Sequence, residues 1–573
     1  MMPGKKKSFF RRTLVRLCLG FLILLAVVII FFAVVAIDHP PKVKDMSSLK
    51  IKRIEYGNQV YGYGNNWLRK SESGLWEAYI EGKPFERGVA FGQLTRELLY
   101  YQETAFVEQI REIVPSGGYL KLLKYFIAFF NRNLDKNIPD EYKDEIYGTS
   151  FACSPEYDFI GSGYQRQLNY HAAHDIGHAL QGLSLVACTS FSVWDSQSVD
   201  SSLIVGRNFD FYMGEKFAEN KIVCFVNPSD GFKFVMITWA DLIGVVSGMN
   251  EKGLTVTINA SRSTIPRQAA TPVTLLAREI LQYAGTIEEA YALSKKRRLF
   301  VSESILIGSA RDHKAVIIEK SPSKDDLVYP ESDRIICTNH YQGEVFADDE
   351  INLENIRGSD SYNRYKRVEE LLDRAGSMNV AKVVAILRDQ RTLGDSDAGM
   401  GNQLAINQLI AHHSVVFRPD SLQFWISTAP WQLGKYVAYD LRKVFNLDKD
   451  FIQTHREMYD ESLTIPADTF LNTPAYRNFR QYQLMTRQIR DFGKKQQTLP
   501  AGFEQAFINS NPSLYLTYLQ LADYYRDMNS LVEAGSLYDQ ALQQQLPGRD
   551  EALKIREILD EIQTETGHGN SGN

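Results

Sequence analysis

The sequence predicts an α+β fold in which antiparallel sheets are covered by helices. Three observations lead there. Before about residue 187 the apolar spacing is mainly helical, whereas from Cys188 onward short alternating or wholly apolar runs follow one another. Turn clusters such as Asn227-Pro228-Ser229-Asp230-Gly231 and Arg311-Asp312-His313 join neighbouring runs closely enough for hairpins. Helical patterns then enter in blocks between the strand groups, which excludes a regular βαβ alternation.

The N-terminus carries Lys5, Lys6, Lys7, Arg11, Arg12 and Arg16, followed by an uncharged apolar run from Leu17 to Ile37. A helix needs about 20 residues to cross the hydrocarbon layer, so the run predicts a single transmembrane anchor. Val34-Val35-Ala36 leaves open a cleaved signal, although such signals usually carry only about 7–15 apolar residues. Cys18 begins the apolar stretch instead of following it, which argues against a lipoprotein signal. With the basic flank inside, the rest of the chain would be extracytoplasmic, and periplasmic in a Gram-negative cell.

Residues 41–187 read mostly as helix, with one strand at Leu75–Lys83 and helices at Glu86–Ile110, Tyr119–Phe130 and Asp140–Thr149. Strands are expected at Ser202–Val205, Lys221–Val226, Lys233–Trp239, Leu254–Ala260, Ser304–Ser309, Ala315–Lys320, Arg334–Thr338, Leu422–Ser427 and Lys435–Asp440. Helices are expected at Pro272–Tyr283, Ile287–Lys295, Ser361–Arg374 and Val380–Arg388. Near the C-terminus Tyr518, Leu521, Ala522, Tyr525, Ala534, Tyr538, Ala541 and Pro547 fall almost on the tetratricopeptide spacing. One such unit is a packed helical hairpin, since a free-standing array takes about three. The expected division is therefore 1–40 (basic stub and anchor), 41–187 (helical), 188–460 (core), 461–566 (helical) and 567–573 (disordered).

The chain has 573 residues, and its 64 Lys+Arg against 69 Asp+Glu leave a net charge of −5, so no basic footprint for nucleic acid exists. Five cysteines are too few for a disulfide scaffold and leave at least one thiol unpaired. Cys153, Cys224 and Cys337 read as buried thiols or as the source of one disulfide. A buried structural thiol is also the plain reading of Cys188. Its neighbourhood suggests more.

Leu185–Phe211 reads LVACTSFSVWDSQSVDSSLIVGRNFDF, so a cysteine opens a strand and a Gly-Arg-Asn-Phe-Asp-Phe strand end follows. Gly248-Met249-Asn250-Glu251-Lys252-Gly253-Leu254 and Cys337-Thr338-Asn339-His340 come later in the chain. EGKPFERGVAFGQL lies upstream and NQLIAHHSVVF downstream. In order and spacing this set resembles the N-terminal-nucleophile (Ntn) cysteine hydrolases of the acyl-CoA:6-aminopenicillanate acyltransferase-like family, peptidase family C45. Bile-salt hydrolases and penicillin V acylases resemble it more distantly. The likeness runs from about Leu75 to Leu441.

The resemblance implies a four-layer αββα sandwich, with 41–187 as a helical prosegment and self-cleavage between Ala187 and Cys188. The freed cysteine would then hold both a thiol nucleophile and an α-amine. Such an amine titrates near 7.7–8.0, close enough to working pH to take the thiol proton. By the same resemblance Asp210 orients the α-amine and Arg207 lowers the thiol pKa, while Asn339 and Asn259 donate to the tetrahedral oxyanion. Alternatively, Arg207 and Asp210 form an ordinary strand-end ion pair. Arg364 matches either the distal active-site arginine of the bile-salt enzymes or a solvated helix face shared with Lys366 and Arg367. Asn250 and Gly253 read as turn residues.

Two further signals compete. His171, His174, Asp175 and His178 (HAAHDIGH) have the spacing of metal ligands on one helical face. The HDIG portion resembles the metal-binding core of HD-type phosphohydrolases, which are all-helical, whereas β-structure follows here. A helix packed near the site is preferred. His412 and His413 are adjacent, and strand alternation would send at most one toward the site.

The function expected is a membrane-anchored, self-processing amidohydrolase or acyltransferase using Cys188, without cofactor or metal. Its partners would be a small acyl-amide or acyl donor, the membrane through the N-terminal helix, no nucleic acid, and a protein at the C-terminal helices. The alternatives are a metal-dependent hydrolase built on HAAHDIGH and a non-catalytic anchored scaffold.

Overall fold

The computed structural model describes residues 19–27, 40–113, 134–172, 187–212, 214–262, 270–448, 451–454 and 456–569. Eighteen strands form two sheets. Their ranges are β1 (Ile54–Gly57), β2 (Val60–Tyr63), β3 (Asn66–Lys70), β4 (Trp76–Gly82), β5 (Thr189–Asp195), β6 (Ser201–Phe209), β7 (Ile222–Pro228), β8 (Phe234–Thr238) and β9 (Ser247–Asn250). There follow β10 (Leu254–Ala260), β11 (Glu303–Ser309), β12 (Lys314–Lys320), β13 (Asp325–Val328), β14 (Arg334–Cys337), β15 (His413–Arg418), β16 (Gln423–Ser427), β17 (Tyr436–Asp440) and β18 (Asp460–Ile465). The larger sheet runs β1-β2-β3-β4-β7-β8-β9-β10-β11-β12-β13 and the smaller β14-β5-β6-β15-β16-β17-β18.

Both faces of these sheets are covered, which explains the wholly apolar strands. On β7, Val223 and Phe225 join Val415, Phe417, Phe424 and Tyr439 in a core between the sheets. The alternate residues Cys224 and Val226 pack into a second core with helices α1 (Pro84–Ile113), α2 (Asp140–Ser150) and α4 (Val273–Tyr283), while α3 (Gly163–His171) packs beside α2. The helix Ile287–Lys295 is α5 and Glu350–Gly358 is α6. On the outer face of the smaller sheet, Phe191, Ile204 and Val416 meet Val368 and Leu372 of α7 (Ser361–Ala375) and Val383 and Leu387 of α8 (Val380–Leu387). Gly206 permits that close approach: a Cβ there would stand 2.5 Å from Val383 Cγ1.

Several expectations are corrected. The expected α+β class, a transmembrane helix and helical prosegment before an antiparallel four-layer αββα sandwich, gives way to a mixed α/β architecture. β4 pairs with β7 in parallel, so the larger sheet is mixed. Residues 54–70, expected mostly as helix, supply three of its strands, while the strand expected at Leu75–Lys83 is β4. The reason is local. These strands are short, and turns at Gly57-Asn58-Gln59 and Gly64, all at positive φ, break any longer periodicity. Among the described residues no helix is long and apolar enough to cross a membrane, so the single-pass, extracytoplasmic placement is withdrawn. A helical stretch is described over 19–27; the remainder of the Leu17–Ile37 run, and the expected helix Tyr119–Phe130, lie outside the described residues. Cys153, Cys188, Cys224 and Cys337 are all free, which removes the disulfide alternative.

The C-terminal region folds as α9 (Pro474–Lys494), α10 (Phe503–Ser510), α11 (Tyr515–Asp527), α12 (Leu531–Leu542) and α13 (Arg549–Gly569). Leu521, Ala522, Ala534, Tyr538 and Ala541 form the interior of that bundle. Their spacing marks a packed helix pair and not a repeat array.

Candidate active site

Six side chains singled out in the sequence converge at one end of the smaller sheet. β5 and β6 pair with Ser190 opposite Arg207, and β14 pairs with β5 so that Cys337 stands opposite Ser190. This register puts Cys188, just before β5, near Asp210, just after β6, and near Asn339, just after β14. β10 of the other sheet contributes Asn259, and the first turn of α7 contributes Arg364. The main-chain N–H of Ala187 donates to Asp210 O at 3.0 Å, which holds the Ala187–Cys188 peptide against the end of β6.

Cys188 is completely buried. Arg207 Nη2 lies 3.5 Å from its sulfur and also donates to Ile258 O. Arg207 Nη1 donates to Val246 O and, at 2.6 Å, to Ser247 Oγ. Burial pushes the thiol pKa up, and the neighbouring Arg207 cation partly opposes it. Arg207 makes no ion pair with Asp210 among the described residues, so the strand-end pair is not formed. Among the described residues, neither buried carboxylate oxygen of Asp210 has a hydrogen-bond partner. Burial raises its pKa to about 8 against the opposing pull of Arg364 and Arg207, leaving the group protonated near neutrality.

Arg364 is buried and belongs to this cluster, not to a solvated helix face. Its Nη1 donates to Cys188 O at 2.6 Å and Thr189 Oγ1 at 2.9 Å, its Nη2 to Asn339 Oδ1 at 2.7 Å, and its Nε to Asp360 Oδ2 at 3.0 Å. Asn339 Nδ2 donates to Ala260 O at 2.8 Å. Asn259 Nδ2 donates to Cys337 O at 2.9 Å, and its Oδ1 accepts from Ser190 Oγ at 2.8 Å. Each carboxamide nitrogen carries two N–H donors, so one on each asparagine remains beyond the bond named. Asn250 and Gly253 make the turn: Asn250 Oδ1 accepts from the N–H groups of Lys252 and Leu254, both at 3.0 Å, and Gly253 sits at φ +73°.

Sequence reasoning gave no weight to Ser247 and too little to the histidine pair. Ser247 immediately precedes the Gly248–Leu254 turn motif, in which only Asn250 and Gly253 were given a role. Both His412 and His413 are buried beside Arg207, although strand alternation would have sent only one inward. The rule failed because His412 precedes β15 and is not a strand residue. As for HAAHDIGH, His171 has both ring nitrogens engaged, Nδ1 to Gln167 O at 2.7 Å and Nε2 accepting from the Ile243 N–H at 3.0 Å. That removes it from a ligand set. His174, Asp175 and His178 lie outside the described residues.

Residues 197–398 match the profile of the acyl-coenzyme A:6-aminopenicillanic acid acyl-transferase family. That segment is similar to the family. It includes Arg207, Asp210, Asn259, Asn339 and Arg364 and begins nine positions after Cys188. Among curated proteins, Protein dcd1B of Dictyostelium discoideum is 22% identical over 262 residues, 42% of this chain and 50% of that protein. The chain thus spans half the length of that relative. The N-acylethanolamine-hydrolyzing acid amidase of Caenorhabditis elegans is 25% identical over 265 residues, 44% of this chain and 69% of the amidase. The solved structure of a Caenorhabditis elegans ortholog of that amidase aligns at 19% identity over 41% of this chain and 93% of its own, with a TM-score of 0.30. A conjugated bile acid hydrolase from Clostridium perfringens aligns at 13% identity over 46% and 94%, with a TM-score of 0.32. TM-scores this low carry no weight for the fold.

Proposed function

We propose that the chain is an amide hydrolase or acyltransferase whose nucleophile is Cys188, exposed as an N-terminal residue by cleavage of the Ala187–Cys188 bond. The observation that carries this reading is the convergence on Cys188 of a cation, Arg207, and a buried carboxyl without a partner, Asp210. In the uncut chain the sulfur attacks the Ala187 carbonyl carbon, the Cys188 nitrogen leaves as an amine, and water hydrolyses the resulting thioester. The new α-amine then meets Asp210. An ammonium beside that carboxyl favours its ionised form, so the group that is unpartnered in the precursor gains its partner on cleavage.

Turnover follows the same electron flow. The α-amine accepts the thiol proton, the thiolate attacks the acyl carbonyl, and the leaving amine takes a proton from the ammonium. Water, or an acceptor amine, resolves the thioester. The spare N–H of Asn339, with that of Asn259, supplies donors for the oxyanion, and Arg364 fixes Asn339 through its Oδ1. The N-acylethanolamine named for the amidase relative makes an N-acyl amide the first substrate class to try. Hydrolysis of an N-acylethanolamine by the wild-type chain, reduced at least about 10³-fold in C188A, is the expected result. Equal rates in the two chains would refute the role of Cys188.

A further inference from the structure

Arg207 is held from the side opposite the thiol by a line of hydrogen bonds whose direction the chemistry dictates. Ser247 Oγ accepts from Arg207 Nη1 at 2.6 Å and contacts His413 Nε2 at 2.8 Å. A guanidinium accepts nothing, and among the described residues His413 Nε2 is the one acceptor in reach of the serine hydroxyl, so its proton is assigned there. That nitrogen must therefore be unprotonated, and the His413 proton sits on Nδ1. Nδ1 faces His412 Nδ1 at 2.9 Å, which then accepts, leaving the His412 proton on Nε2. Among the described residues this Nε2 has no hydrogen-bond partner, and the ring makes T-shaped contact with Trp239, their centroids 5.1 Å apart. Every bond runs one way, from Arg207 through Ser247 and His413 to His412, with both imidazoles neutral. The Phe209 ring lies under the Arg207 guanidinium carbon, 4.6 Å from it, and tilted against the His413 ring, their centroids 5.2 Å apart.

We propose that Ser247 and the His413–His412 pair are positioning residues that hold Arg207 against the Cys188 sulfur. Three strands supply the parts, with Arg207 on β6, Ser247 on β9 of the opposite sheet and His413 at the start of β15. The relay thus also locks the register between the two sheets at the site. Burial, together with the cations Lys221 and Arg207, keeps both imidazoles well below the usual histidine range, in keeping with neutral rings. Without the acceptor on His413, the Ser247 hydroxyl loses its defined direction and the guanidinium loses one of its two anchors on the Nη1 side. The other anchor is the Val246 carbonyl.

The proposal rests on the thiol–guanidinium geometry and extends the reading of Cys188 as the nucleophile. Its test does not depend on turnover. The groups facing the thiol are Arg207, Asp210 and Glu303, joined by the Cys188 α-amine in a cut chain, whose own titration is common to wild type and variants. The rate of Cys188 alkylation by iodoacetamide, read by peptide mass between pH 5 and 10, reports how well the cation is held. In H413F and S247A the inflection is expected to move up by about one pH unit, while H413Q, which places an amide oxygen near the Nε2 position, is expected to stay within about 0.3 unit of wild type. An unmoved inflection in S247A, the smallest change and the one retained if H413F does not fold, would overturn the proposal. So would an H413Q inflection displaced as far as that of H413F. Amide hydrolysis measured on the same samples separates the two claims, because loss of the nucleophile reading would show as activity surviving in C188A whatever the alkylation profile does.

Discussion

Arg87 and Arg278 are as deeply buried as Arg207 and Arg364, yet their surroundings differ in kind. Glu145 sits between the first two, 2.6 Å from Arg87 Nη2 and 3.4 Å from Arg278 Nη2. Burial pushes its pKa up, but Arg278 and Arg87 outweigh burial and hold the carboxylate ionised. The remaining donors end on carbonyls, Arg87 Nη1 on Gly82 O and Arg278 Nη1 on Ile243 O, both at 2.8 Å. That cluster ties α1, α2 and α4 together and is closed. Around Cys188 the arginines bond to carbonyls, hydroxyls, an amide, the thiol and, from Arg364, the Asp360 carboxylate, while among the described residues Asp210 is left neutral and unpartnered. A buried carboxyl without a partner is costly in a purely structural setting. It fits the proposal that a new charge, the α-amine, appears there on cleavage.

The contrast can be broken at three points. The largest effect is expected from E145A, which strands two buried cations; unfolding should become easier by about 3–5 kcal/mol, read by chemical denaturation. A change below about 1 kcal/mol would deny that this cluster is the closed one. N339A should instead spare stability and reduce kcat/KM by about 2.7–4 kcal/mol in transition-state terms, roughly 10²–10³-fold, measured on an N-acyl amide. A proportionate loss of stability would make Asn339 structural.

The third effect is the smallest and depends on pH. With a folded-state pKa of about 8 against the ordinary 3.8, the folded chain holds the Asp210 proton more tightly than the unfolded chain. The associated stability is therefore complete below the unfolded value and is lost as pH rises through about 8. In a C188A background, which keeps the chain uncut, D210N fixes the neutral form. Its advantage in Tm over C188A alone should grow by about 2 °C or more from pH 5 to pH 8. A difference that does not change with pH would mean that Asp210 has a partner.

The individual core elements were the most legible part of the fold. β10 spans Leu254–Ala260 as its alternating sequence predicts, and the helix Ile287–Lys295 begins at a Thr286 cap whose side chain accepts from Glu289 N. β1–β3 were hidden because these short strands are split by turns, whereas β4 was expected. The parallel β4–β7 pair joins residues more than 140 positions apart, a relation no local pattern encodes. At the site, Cys188, Arg207, Asp210 and Asn339 were legible as an ordered set. Ser247 was not, since a lone serine before a turn motif gains meaning only from what lies across the sheet interface. Arg364 was ambiguous beside Lys366 and Arg367. It is buried and bonds to Cys188 O and Asn339, so it lies in the cluster around Cys188 and not on a solvated helix face. Arg367 is also buried, but is spent on Asp389, Glu370 and Asp395.

The central claim is that Cys188 becomes an N-terminal residue, and the intact mass of the purified full chain tests it most directly. The account predicts two fragments from the wild type, one ending at Ala187 and one beginning at Cys188, and a single uncut chain from C188A. A wild-type chain that stays whole under conditions where it hydrolyses an amide, with no N-terminus at Cys188, would contradict it.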